Sequence, residues 1–228
     1  GSLILDSGLI GYWKFDDGAG TDIQDSSGYE NDGTLTGSDS DEWTASSAPT
    51  NFTNPYALDF DGTDDYVSIP DNNIFDFGTN AFAISTWINT SVTGTDKDII
   101  DRYSAGAAQI QMTVQTNNLV RSFVWIGSYG VDITSSTTVT DGNWHHLVFV
   151  VDSGGTSGKY YLDGAEDGSD TGATAKNASS AGDFIIGSDW DEAGMPFSGL
   201  LDDVRIYNRA LNASEIGYLS AGNLGTGS

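Results

Sequence analysis

QIQMTV, residues 109–114, sets polar side chains at 109, 111 and 113 and apolar ones at 110, 112 and 114. Successive side chains of an extended chain point to opposite faces, so the alternation describes a strand with one buried and one open face. The same reading applies to LIGYWKF (9–15), YVSIP (66–70), FAISTWINT (82–90) and LVRSFVWI (119–126). It also applies to HHLVFVVD (145–152), KYYLDG (159–164), DFIIGS (183–188) and GLLDDVRIY (199–207). Clusters of Gly, Asp, Asn and Ser separate these runs, and Asp163-Gly164 reads as a hairpin turn. One short helix is expected at 212–220, NASEIGYLS, with Asn212 or Ser214 as N-cap and Ile216 and Leu219 one turn apart. Helices do not alternate with strands, which sets the α/β classes aside. The expected fold is all-β: two antiparallel sheets packed as a sandwich, with one short C-terminal helix. No composition break divides residues 1–228, and the polar stretch 37–56 is read as a loop within one domain whose core spans about 8–219.

Eight Lys and Arg against 33 Asp and Glu give a net charge of −25. Nucleic acid is excluded as a partner, because phosphate binding needs cations, and the same sign argues against anionic bilayers. No apolar run approaches the length of a membrane span, so membrane insertion is not expected. Only five of the 33 acids are glutamate. Aspartate favours turns and oxygen-ligand metal loops. Such charge suits a salty medium, and a marine or halophilic source is consistent with it. With no cysteine, disulfides, thiol catalysis and cysteine-zinc sites are all excluded. The opening Gly1-Ser2 reads as a cloning remnant, so a longer multidomain parent chain is expected.

The order of the motifs resembles the concanavalin A-like, laminin G-like jelly rolls of secreted bacterial proteins. GLIGYWKFDDGAGTDIQDSSGYENDGTL (8–35), ALDFDGTDDYVSIPD (57–71), AFAISTWIN (81–89), DGNWHHLVFVVD (141–152), YLDG (161–164) and FSGLLDDVRIYNRALNASEI (197–216) carry the resemblance. The 37–56 loop and the DWDEAGMP insertion (189–196) depart from it. The resemblance implies a jelly-roll sandwich serving as a lectin-like or adhesive module of a prokaryotic extracellular or cell-surface protein. Enzymes also use this architecture. Retaining glycosidases need two carboxylates about 5–5.5 Å apart, and the five glutamates lack their usual spacing. Lyases of similar shape need a His-Tyr-Arg group, whereas His145 and His146 point to opposite faces of one strand and are read as structural. The chain is therefore expected to bind carbohydrate, a glycan or polysaccharide, without catalysis. The rival reading is an adhesive spacer with no glycan pocket.

Two stretches offer hard oxygen ligands for calcium. In 25–33, Asp25 and Asn31 offer side-chain oxygens and Gly28 or Gly33 a carbonyl, and the resemblance brings Asp202 of the last strand beside them. A structural Ca2+ is expected there; the other reading has these carboxylates bonded to loop amides. In 59–65, Asp61 and Asp64 either hold a second cation or form the turn around Gly62, which is the commoner role of Asp-Gly. For the sugar, stacking aromatics with polar neighbours are required. Trp13, Trp87 and Trp144 fall in strand patterns and are assigned to the core, and Trp43 to stapling the long loop. Trp190 with Asp189 in the polar insertion, Arg102 and Tyr103 at a strand end, and Trp125 with Tyr129 form the candidate ligand set.

Overall fold

The computed structural model describes residues 5–37, 42–189 and 194–223. Numbered along the chain, sixteen strands form two eight-stranded antiparallel sheets. The first sheet runs β14 (Ala165–Thr171), β13 (Ser157–Leu162), β12 (Trp144–Val151), β7 (Phe82–Asn89), β16 (Ser198–Tyr207), β5 (Ala57–Asp61), β4 (Trp43–Thr44). Its eighth strand, β1 (Leu9–Trp13), pairs with the later half of β16, past the end of β5. The second sheet runs β11 (Tyr129–Thr138), β10 (Leu119–Trp125), β9 (Gln109–Val114), β8 (Lys97–Arg102), β15 (Phe184–Ile186), β6 (Tyr66–Ile69), β3 (Gly33–Thr36), β2 (Asp22–Ile23). This is the two-sheet antiparallel sandwich expected from the alternating strands, with the jelly-roll form that the resemblance implies, together with the short helix α1 (Ala213–Ser220).

The alternation explains the packing. Ile110, Met112 and Val114 of β9 and Val120 and Val124 of β10 turn inward, where they meet Phe82, Ile84 and Ile88 of β7 and Leu147 and Phe149 of β12. Phe77 stacks on Phe82 at 4.4 Å between ring centroids, and Phe82 meets Phe149 edge-on at 5.9 Å. The opposite parity of the first sheet carries a second, smaller apolar cluster. There Ala83, Val148, Val150 and Tyr207 are covered by Ile216 and Leu219 of α1 and by Leu5. Asn212 caps the helix: its Oδ1 accepts from the N–H of Ser214 (2.9 Å) and Glu215 (3.1 Å), and Glu215 Oε2 accepts from the Asn212 N–H (2.9 Å). Among the described residues no helix is long and apolar enough to cross a membrane.

The tryptophans divide more finely than their strand positions suggest. Trp13 is fully buried and donates to the Asn31 carbonyl at 2.9 Å. Trp87 is buried on the outer side of its sheet against His146, ring centroids 5.0 Å apart. Trp144, assigned to the core from its pattern, is only half-buried, because it opens its strand. Trp43 donates to the Gly20 carbonyl at 3.0 Å and ties the long loop to the core edge.

Arg102 is not a rim residue. Its side chain is fully buried and donates to the carbonyls of Phe75 (2.7 Å), Ser180 (2.5 Å) and Gly182 (3.1 Å). It also pairs with Asp71 at 2.7 Å and Asp76 at 3.2 Å. One guanidinium thus clamps the 71–76 turn to the 180–182 loop, with Nη2 shared among Asp71, Asp76 and the Ser180 carbonyl. Arg102→Ala should cost about 3–5 kcal/mol, since it strands buried carbonyls and two carboxylates. Urea denaturation checks this; a loss under about 1 kcal/mol would show that the clamp is dispensable.

The two histidines do face opposite ways. His145 lies between Asp163 (2.8 Å) and Asp141 (3.1 Å), which hold it above its usual range. His146 is fully buried against Ser85 Oγ at 2.9 Å, and burial drives it from 6.5 down to about 3. Within that window the unfolded chain binds a proton that folded His146 refuses. This residue therefore costs stability as pH falls, by about 1.4 kcal/mol per pH unit. His145 has the opposite sign, its contribution being complete below 6.5 and lost as pH rises through its raised value. In urea titrations at about pH 7 and about pH 5, His146→Gln should lose less stability on acidification than wild type by at least about 1 kcal/mol. An unchanged pH slope would rule His146 out as the acid-sensitive group.

Candidate carbohydrate-binding face

The outer face of the second sheet is built by strand register. Residue 109 pairs with 125, and 125 with 129, giving a row of Gln109, Trp125 and Tyr129. The next row is Asp101, Gln111, Phe123 and Asp132; the one after is Asp98, Thr113, Arg121 and Thr134. These are the side chains left over once β9 and β10 have turned their apolar alternates into the core. A shift in register between Asp98 and Ile100 buries both Ile99 and Ile100 while keeping Asp98 and Asp101 on the outer face.

At one end of this face Tyr103, Gln109, Phe123, Trp125 and Tyr129 enclose an open groove of about 280 Å³. The Tyr103 and Trp125 rings lie 6.4 Å apart and inclined by 57°, and Tyr129 meets Phe123 edge-on at 5.2 Å. Tyr129 is 46% exposed, which leaves its ring open to a ligand. The groove floor is held by polar contacts. Gln109 Nε2 donates to both Asp101 oxygens at 3.1 and 3.0 Å, and Gln111 Nε2 to Asp98 Oδ2 at 2.6 Å. Arg121 forks onto Asp132 at 2.8 and 2.7 Å with its guanidinium over Tyr129 (4.4 Å) and Phe123 (4.9 Å). That fork holds Arg121 above its ordinary range. Asp98 is pushed well up by burial and by the neighbouring Asp101. The arrangement offers inclined ring faces for sugar C–H surfaces and amide groups for hydroxyls, on residues fixed by their neighbours. A larger groove of about 570 Å³ runs along Gly18–Thr21, Leu35–Gly37, Glu42 and Trp43. It has one aromatic ring, whose N–H already bonds Gly20, so it lacks the paired platform.

Of the residues expected to hold a ligand, Tyr103, Trp125 and Tyr129 are brought together. Arg102, one position from Tyr103, points the other way into its clamp. Asp189 is buried, 7% exposed, and accepts the Gly194 N–H at 2.8 Å, so it fastens the base of the insertion rather than lining a rim. Trp190 lies outside the described residues. Gln109 and Phe123 were not singled out from the sequence. Their two-residue spacing from Gln111 and Trp125 is the signal that could have found them.

The expected calcium ligands do not assemble as a set. Asp25 Oδ1 accepts from the N–H of Tyr12 (2.9 Å) and Ser27 (2.8 Å), and Oδ2 from Ser27 Oγ (2.7 Å) and the Asn31 N–H (3.0 Å). Four donors fill that carboxylate. Asn31 donates to the Ile10 carbonyl at 2.9 Å and accepts from Asn72 Nδ2 at 2.8 Å. Gly28 is an exposed turn residue at φ +89°, and Gly33 sits within β3 against Val67. Asp202 is on β16; Asp25 bridges to Trp13 across the other edge of β1, so a whole strand separates the two. At the other acidic stretch, Asp61, Asp64 and Asp65 come within 4.8 Å of one another. The Asp61 N–H donates to Asp65 Oδ2 at 2.7 Å and the Thr63 N–H to Asp61 Oδ1 at 2.6 Å, which is turn chemistry.

Known structures repeat this fold. The binding domain of Paraclostridial Mosquitocidal Protein 1 superposes with a TM-score of 0.74 at 16% identity, over 95% of this chain. This chain spans 52% of that domain's length. Domain 4 of AbnA, a GH43 extracellular arabinanase from Geobacillus stearothermophilus solved with arabinotriose, gives 0.67 at 24% identity, covering 94% of this chain and 98% of that one. The receptor-binding domain of the botulinum neurotoxin C/D mosaic serotype gives 0.69 at 14% identity, covering 96% and 52%. At such identities the likeness is one of fold. No curated protein matches the sequence significantly. The model of the Laminin_G_3 family, the concanavalin A-like lectin/glucanases superfamily, matches residues 61–217, more than half of the sequence, and the chain belongs to that family.

Proposed function

We propose that the chain is a non-catalytic carbohydrate-binding module of a larger extracellular or cell-surface protein, and that its glycan lies in the Tyr103–Trp125–Tyr129 groove. The observation that carries this reading is the groove itself, with four aromatic side chains and a fixed amide around about 280 Å³ on an otherwise polar sheet face. Support comes from the arabinanase domain, a structure of nearly the same extent that was solved with a trisaccharide. The glycan is neutral. Asp101 and Asp132 flank the floor and the chain carries −25 overall, so a uronate or sulfated chain would meet like charge.

Calorimetric titration with neutral arabino-, gluco- and galacto-oligosaccharides and with uronate oligomers tests this reading. Binding is expected from a neutral oligomer only. Trp125→Ala and Tyr103→Ala should each raise Kd at least tenfold, about 1.4 kcal/mol, with melting temperature nearly unchanged. Absence of any neutral ligand, or unaltered affinity in both variants, would favour an adhesive spacer without a glycan pocket. No oligosaccharide should be cleaved on prolonged incubation, and turnover surviving repurification would overturn the non-catalytic reading.

A further inference from the structure

Buried side-chain oxygens without a hydrogen-bond donor gather where the chain leaving β1, the 45–56 loop and β16 meet. They are Asp16 Oδ1, Asn54 Oδ1, Asp202 Oδ1 and Asp203 Oδ2. Asp202 is fully buried, and its other oxygen accepts from the Ala48 N–H at 2.8 Å and Asn54 Nδ2 at 2.9 Å. That second bond orients the Asn54 amide and leaves its oxygen without a donor. Two residues on, the Tyr56 N–H bonds the Asp16 carboxylate. Asp16 and Asp202 therefore grip the same short segment from two sides.

The charge here is unbalanced. Asp203 has Arg205 Nη2 at 3.1 Å and the Tyr12 hydroxyl. Among the described residues, neither Asp16 nor Asp202 has a Lys or Arg within 4 Å. A buried carboxylate with one oxygen unanswered is costly, and such orphans point to a missing partner. One proton on Asp202 would answer one oxygen and leave the other two. All three orphans on Asp16, Asn54 and Asp202 are hard acceptors, without nitrogen or sulfur. Two carboxylates match a double positive charge, which is the donor set calcium prefers. We infer that Asp16, Asn54 and Asp202 bind a divalent cation of the calcium type, which locks the 45–56 loop onto β16. The site is separate from the amide-filled Asp25 loop across β1, and from the Asp61–Asp65 turn.

The experiment uses chelator-stripped protein, titrated with calcium by calorimetry and melted with and without it. One equivalent should bind, and calcium at a hundred times its dissociation constant should raise the melting temperature by roughly 5–10 °C. Asp202→Asn and Asp16→Asn, which keep side-chain shape, should each weaken calcium at least tenfold; Asp61→Asn should not. Limited proteolysis within 45–56 should slow with calcium in wild type and not in Asp202→Asn. The proposal fails if stripped wild-type protein neither binds calcium nor melts higher with it. It also fails if both Asn variants keep the full response, or if the response depends on Asp61 instead.

Discussion

With eight bases to serve 33 acids, this chain must answer most of its inward-turned carboxylates with something other than a cation. That constraint runs through the whole architecture. Asp25 is answered by backbone and hydroxyl donors, and in being answered it shapes the 25–31 loop and joins it to β1. Asp203 takes the buried Arg205 and the Tyr12 hydroxyl, which stitches β16 to β1 inside the first sheet. Arg102 does the reverse, one buried cation serving five acceptors and drawing two distant loops together. Asp202 and Asp98 get amide or backbone donors but no ion pair among the described residues; burial and the neighbouring Asp203 push Asp202 up to about 8, and burial and Asp101 push Asp98 well up.

The strands with clean alternation were legible from the sequence, since a buried face and an open face leave a period of two in the residues. β11 and β14 were not, and of β8 only its end at Arg102 was. KDIIDR (97–102) carries four charged residues, yet all six positions are buried: β9 and β15 flank the strand, and the Asp98 N–H bonds the Met195 carbonyl at 2.9 Å. β11 and β14 are polar because they form sheet edges, where polar side chains discourage further strand pairing. The second of these was implied by Asp163-Gly164, whose φ values of 50° and 84° suit a tight hairpin turn.

The candidate face shows the same division. Aromatic residues in polar surroundings, Tyr103, Trp125 and Tyr129, could be picked out one by one. What joined them was lateral register, which no single strand contains, and register also supplied Gln109 and Phe123. Arg102 shows the limit of adjacency: next to Tyr103 in sequence, it turns to the other side of the sheet. For the expected metal, the family resemblance singled out Asp202 on the last strand, and that carboxylate is buried. The pairing of Asp202 with Asp25 did not follow, since β1 lies between them.

Leu5 and Leu219 share the small apolar cluster beneath α1, and the Asn51 N–H reaches the Gly222 carbonyl at 2.6 Å. Both ends of the described chain therefore leave from the back of the sandwich, while the aromatic groove looks out from its front. If the proposed glycan lies in that groove, a segment joined near residue 5 or 223 would start from the opposite side of the sandwich. Copies carried on one backbone could then lie along a single polymer without shading one another, and weak individual grips would add up through avidity.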